Sequence, residues 1–129
     1  MFKKLFALTI IVVAVLALSA GAKSQTLYFC EGVTSDGYPT GEASTFNIGS
    51  GGGYLDVLTR LPYSLNCSSV RYEIYRNGEY DNTIYQDTQT NWDWFYKQIT
   101  FYKAGSYTIY LIDCYDITLA SGTVKIQIR

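Results

Sequence analysis

No histidine occurs among the 129 residues, and this absence excludes more chemistry than any other feature of the chain. Ser-His-Asp and Cys-His mechanisms need an imidazole to move the proton, so both are ruled out. Most catalytic zinc sites fall with them, because His is their usual nitrogen donor. The three cysteines, Cys30, Cys67 and Cys114, form no Cys-x-x-Cys pair, which argues against a thiolate metal site. Prolines number two, and after the first 22 residues there is neither an apolar run long enough for a bilayer span nor a helical periodicity. No cofactor motif is present. Gly49-Ser50-Gly51-Gly52-Gly53 is glycine-rich, but a phosphate-binding loop needs Gly-Lys-Ser/Thr opening a helix, and here Tyr54 opens a strand.

Met1 to Ala22 has the organisation of a secretory signal peptide. Lys3 and Lys4 supply the positive start, Leu5 to Leu18 the apolar core, and Ala20-Gly21-Ala22 the small-residue cleavage pattern. Cleavage after Ser24, leaving Gln25 first, is the alternative. The expectation is an exported chain, secreted or periplasmic, whose single domain runs over residues 23–129. Ten Lys and Arg lose Lys3 and Lys4, leaving eight against eleven Asp and Glu, a net charge of −3. Such a domain has no electrostatic reason to seek nucleic acid or an anionic membrane.

What the remainder has in excess is tyrosine, thirteen of them, together with both tryptophans. The side chains alternate with a period of two, which is a strand signal. Residues Asn91 to Arg129 read as three consecutive antiparallel strands. One begins near Trp92, one spans Tyr107 to Asp113 with both faces apolar as for a central strand, and one runs from Thr123 to Ile128. Upstream, Leu27 to Cys30, Phe46 to Ile48, Tyr54 to Leu61, Val70 to Tyr75 and Tyr80 to Tyr85 alternate likewise, while Glu31 to Thr45 has loop composition. Asn77-Gly78 between two alternating runs predicts a tight hairpin. The sum is an all-β chain of about seven or eight short strands, the pattern of an antiparallel β-sandwich.

Gly105-Ser106-Tyr107-Thr108-Ile109 resembles the Gly-x-Tyr-x-hydrophobic signature of immunoglobulin-like and fibronectin type III-like sandwiches. That resemblance, to domains of small secreted bacterial proteins, covers the last third of the chain. It implies that Tyr107 is the "tyrosine corner", bonding back to the backbone upstream. Lys103 and Ile109 depart from the pattern, where an acidic residue and an antibody-type cysteine are common. An immunoglobulin-like strand order would make the strands beside Cys67 and Cys114 antiparallel neighbours, which implies a Cys67–Cys114 disulfide. Cys30 is then free, or available for an intermolecular bond and a dimer.

Three sets of residues invite a functional reading. Trp92, Trp94 and Tyr96 share one parity, so they form either an exposed platform for sugar rings or part of the core. Core is preferred, because aromatics are mostly buried, and Phe95, Ile99 and Phe101 would then be the exposed set. Tyr75, Tyr80 and Tyr85 would extend an aromatic surface in either case. Asp81, Asp87, Asp93, Asp113 and Asp116 formally allow carboxylate-pair hydrolysis, and Asp113 with Asp116, Glu31 or Asp36 a calcium site, but all read better as turn formers. The chain is therefore expected to be no enzyme. It reads as a binding or structural module that contacts a protein through an aromatic face or open sheet edge, with a cell-surface or extracellular polysaccharide as the alternative.

Overall fold

A computed structural model of the chain describes residues 25–129, and the expected leader, residues 1–22, lies outside the described residues. Among the described residues there are eleven strands: β1 (Gln25–Thr26), β2 (Tyr28–Cys30), β3 (Gly32–Val33), β4 (Pro39–Thr40), β5 (Thr45–Ile48), β6 (Gly53–Arg60), β7 (Ser69–Arg76), β8 (Glu79–Asp87), β9 (Trp94–Phe101), β10 (Gly105–Ile112) and β11 (Thr118–Ile128). A six-stranded sheet has the order β1-β11-β10-β7-β8, with β5 also on β11. A three-stranded sheet has the order β2-β6-β9, and β3 and β4 form a small hairpin. Among the described residues no helix is long and apolar enough to cross a membrane.

The two larger sheets share one core. Leu55 and Val57 of β6 and Phe95, Ile99 and Phe101 of β9 meet Tyr72 and Ile74 of β7, Ile109 and Leu111 of β10, and Val124 and Ile126 of β11. Each set occupies alternate positions, as a pleated strand demands of its inward residues. Asn77 and Gly78 both take positive φ, 52° and 87°, and close the β7–β8 hairpin with Arg76 opposite Glu79. This is the geometry the Asn-Gly pair predicts. Tyr107 is buried, and its hydroxyl donates to the Lys103 carbonyl at 2.7 Å, tying the start of β10 to the turn before it.

The sequence-based expectations need three adjustments. The stretch 31–45, expected to be loop, contains the β3–β4 hairpin and the first residue of β5, whose remainder matches the strand expected at Phe46 to Ile48. The last three long strands do not all lie side by side: β9 pairs with β6, and the turn after Phe101 carries the chain across to the other sheet, where β10 pairs with β11. Strand β10 is central, between β11 and β7, yet Tyr110 on its outer side is partly exposed.

The sheet edges are treated unequally. The far edge of β11 is covered by two short parallel segments, β1 at Gln25–Thr26 and β5 at Thr45–Ile48. Among the described residues no strand pairs beyond β8 or β9, which end their sheets. Cys67, just before β7, and Cys114, just after β10, are joined in a disulfide with Cα atoms 5.8 Å apart. Because Ile112 lies opposite Arg71, the end of β10 and the start of β7 are already neighbours, and the bond locks that pairing. The sequence separation is 47. For a loop of this length the chain-entropy account gives about 4 kcal/mol, the upper end of the usual range for a disulfide. The Cys67→Ser, Cys114→Ser double variant is expected to lose about that much stability in urea unfolding, with its strand content retained.

Candidate functional site

The site is built from the start of β9. Three backbone bonds pin the turn that leads into it: Leu61 N–H donates to the Asp93 carbonyl (2.7 Å), Leu65 N–H to the Trp92 carbonyl (2.7 Å) and Asn66 N–H to the Thr90 carbonyl (2.8 Å). From Trp94 onward the pleat applies strictly. Phe95, Ile99 and Phe101 are buried, so Trp94 and Tyr96 must stand on the outer face. The expectation that the Trp92, Trp94, Tyr96 face is core, with the phenylalanine face exposed, is thus reversed for Trp94 and Tyr96. Trp92 lies before the strand begins and escapes its alternation. Its ring packs against the core and lies roughly parallel to Phe95, centroids 6.0 Å apart and planes 30° apart.

Between these rings opens a cleft of about 370 Å³, lined by Trp92, Trp94 and Tyr96 together with Gln86, Asn91 and Asp93. The indole of Trp94 is covered on one side: a Cβ added to Gly37 would fall within 2.5 Å of it, so only glycine fits there, in a positive-φ conformation. Arg60 fixes the Gly37 loop. One of its guanidinium N–H groups donates to the Gly37 carbonyl, and its charge sits 4.2 Å above the Tyr38 ring. Tyr96 is 45% exposed. A flat three-ring platform is therefore not what forms. The rings instead line a concavity, with one indole turned inward.

Gln86 closes the wall opposite β9. Its side-chain oxygen accepts from the hydroxyl of the fully buried Tyr72 at 2.7 Å, and its nitrogen donates to the Tyr96 carbonyl at 2.9 Å. Burial pushes the Tyr72 phenol well above the usual tyrosine range, so it stays protonated as the donor. One amide thus links the two sheets across their open side.

A second aromatic group occupies the outer face of the larger sheet. Tyr75 meets Tyr80 edge-on at 5.9 Å and Tyr110 edge-on at 5.7 Å. Tyr85, 68% exposed, lies on the same face opposite Arg71.

The remaining sequence candidates have structural roles. Asp113 is buried, and its Oδ1 accepts from the N–H groups of Tyr115 (2.8 Å) and Ile117 (2.9 Å), forming the turn between β10 and β11. Asp116 pairs with Arg71 at 2.9 Å. Among the described residues no group of three or more Asp, Glu, Cys or His could hold a metal ion. Compared with known proteins, the chain matches no family model and no curated protein.

Cys30 and Asp56 are cross-strand partners on β2 and β6, and both are buried, at 0% and 8% exposure. They face away from the shared core, beneath the β3–β4 hairpin, where the backbones of Gly32 and Thr40 reach the thiol. Cys30 has no disulfide partner among the described residues, and its thiol is buried. Burial, reinforced by the charges of Asp56 and Glu42, pushes the thiol up to about 11. Iodoacetamide at neutral pH is expected to leave the native chain unlabelled and to label one cysteine in urea, by mass spectrometry.

Asp56 Oδ1 has no hydrogen-bond partner among the described residues, and burial holds the carboxyl above its ordinary range. The native state therefore binds this proton more tightly than the unfolded one. Its contribution is fully present below the unfolded value and is lost as pH rises through the folded one. Urea midpoints for the natural chain, relative to Asp56→Asn, are expected to decline as pH rises above about 4, the ordinary Asp value.

Proposed function

We propose that this chain is an exported, non-catalytic binding module with an immunoglobulin-like sandwich architecture, and that its ligand is a neutral saccharide held in the Trp92–Trp94–Tyr96 cleft. The architecture is supported by the strand orders β1-β11-β10-β7-β8 and β2-β6-β9, by β1 running parallel to β11, and by the Tyr107–Lys103 bond in the place of a tyrosine corner. Export is supported by the leader pattern of residues 1–22 and fits the Cys67–Cys114 disulfide.

The observation that carries the ligand reading is the pairing of exposed ring surface with amide and carboxylate groups in one concavity of small-molecule size. A pyranose has an apolar C–H face that suits an aromatic ring and a rim of hydroxyls that suits Asn91 and Asp93. Gln86 already spends its amide on Tyr72 and Tyr96, so it shapes the wall rather than greeting the ligand. Asp93 brings the only charge among the lining residues, which favours neutral sugars over uronic acids. A protein partner is the second reading, favoured by the exposed Tyr75–Tyr80–Tyr110 group beside the open β8 edge.

Tryptophan fluorescence tests the first reading. Titration with neutral hexose oligosaccharides is expected to give a saturable shift in emission and to protect the indoles from acrylamide. Tyr96→Ala and Asp93→Asn are each expected to weaken binding by about tenfold, the loss of one stacking or charge-assisted contact. An emission that no neutral oligosaccharide changes retires the saccharide.

A further inference from the structure

Both indoles of the cleft are braced from behind, and by different parts of the molecule. Trp92 rests on Phe95, a buried core residue, with the two ring planes 30° apart. Trp94 is backed instead by main chain from the tip of the β3–β4 hairpin. A Cβ added at Gly37 would fall 2.5–2.8 Å from three atoms of its ring, so the bare glycine backbone lies against the indole. The core therefore sets Trp92, whereas an outlying turn sets Trp94.

That turn holds its own shape through bonds that close within it. Thr34 N–H donates to the Tyr38 carbonyl (2.8 Å), Gly37 N–H to the Thr34 carbonyl (3.0 Å) and the Thr34 hydroxyl to Asp36 (2.6 Å). None of these fixes where the turn sits on the sheet. Its strands are two residues each, and a hairpin that short has little stability by itself. Arg60 supplies the tie. The register places it directly opposite Trp94, so both side chains leave the same outer face of β6 and β9. From there one guanidinium N–H donates to the Gly37 carbonyl, while the guanidinium carbon lies 4.2 Å from the centre of the Tyr38 ring. A planar guanidinium can bond a carbonyl and stack on a ring at once, which a lysine ammonium does less well. Arg60, Gly37 and Tyr38 do not line the cleft, so whatever they contribute to it passes through Trp94.

We propose that Arg60 is a positioning residue of the aromatic cleft: by seating Gly37 against the back of Trp94, it fixes the indole face that a sugar ring meets. Arg60 touches no ligand. An unbraced indole would have to be ordered by the ligand, and ordering a side chain on binding weakens affinity. The seated turn removes that cost beforehand. It also leaves Trp94 a single stacking face, so a sugar reaches the indole from the cleft side only. The inference rests on the saccharide reading and deepens it, adding a residue outside the cleft to those that decide its affinity.

The test uses protein produced from the full sequence, with the two indole N–H resonances assigned through Trp92→Phe and Trp94→Phe. Arg60→Ala is expected to shift the Trp94 resonance and leave that of Trp92 in place. It is also expected to raise acrylamide quenching and to weaken binding of a neutral hexose oligosaccharide by about tenfold. Arg60→Lys keeps the charge and a donor, and it is expected to restore the Trp94 resonance in part and to bind within about threefold of the natural chain. Should Arg60→Ala not fold, Tyr38→Ala serves, since Tyr38 is half-exposed and its loss loosens the same guanidinium. Its expected effect is a Trp94 shift with about threefold weaker binding. A Trp94 resonance that stays in place in these variants, or a Trp92 resonance that moves as far, overturns the proposal. So does unchanged oligosaccharide affinity. A natural chain that binds no neutral oligosaccharide retires the saccharide reading by itself, and the Trp94 resonance then decides whether Arg60 positions the indole.

Discussion

The register of β9 against β6 is the constraint from which the rest of the molecule follows. Leu55 lies opposite Ile99 and Thr59 opposite Phe95, so the inward side of both strands fills the core. A strand has only two faces, and committing Phe95, Ile99 and Phe101 to the interior forces Trp94 and Tyr96 outward. A slip of one residue would bury both of these rings and expose three core residues, at a cost of several kcal/mol in lost burial. The aromatic cleft is thus a by-product of core packing, and it is as stable as the core itself.

The open side between β8 and β9 shows how a small domain manages its edges. The far edge of the larger sheet is covered by β1 and β5. Among the described residues the near side has no such strand cover, and the Gln86 amide bridges it: it accepts from the buried Tyr72 hydroxyl and donates to the Tyr96 carbonyl. A buried phenol without an acceptor would cost about 1–3 kcal/mol, so the bond is as much a condition of burying Tyr72 as a link between sheets. Near it, Cys67 and Cys114 fasten the β7–β10 pair by a covalent bond. Covalent and hydrogen-bonded ties therefore hold the strands around this side, and the aromatic cleft lies along it.

The β3–β4 hairpin adds a third layer over part of the smaller sheet. It shields Cys30, Asp56 and Leu58 on a face that would otherwise be wet, and its Gly37 covers one side of Trp94. An unpartnered carboxyl is an odd thing to keep there, since desolvation of a charge is costly. Burial accordingly raises the carboxyl above its ordinary range, so that it takes up a proton more readily than an exposed Asp.

Much of this architecture is legible in local chemistry. Alternation marked β6 to β11, Asn77-Gly78 marked the hairpin, and the neighbour relation of β7 and β10 implied by the immunoglobulin-like resemblance led to the Cys67–Cys114 bond. These signals lie in adjacent residues, where period and turn preference act directly. Which parity of β9 faces inward is a different kind of question. Both sets are aromatic, and only the fit against Leu55, Val57, Ile109 and the other core residues selects one. The same holds for Trp92, which packs on Phe95 because the strand starts two residues later, and for Gln86, whose role needs two partners distant in sequence. The hairpin within residues 31–45 was hidden because its strands are two residues each, too short for any period to show. Sequence by itself determined that the chain folds as strands and where most of them turn. Tertiary packing alone decided which face of β9 meets solvent, because that choice is a comparison of burial energies between whole sheets.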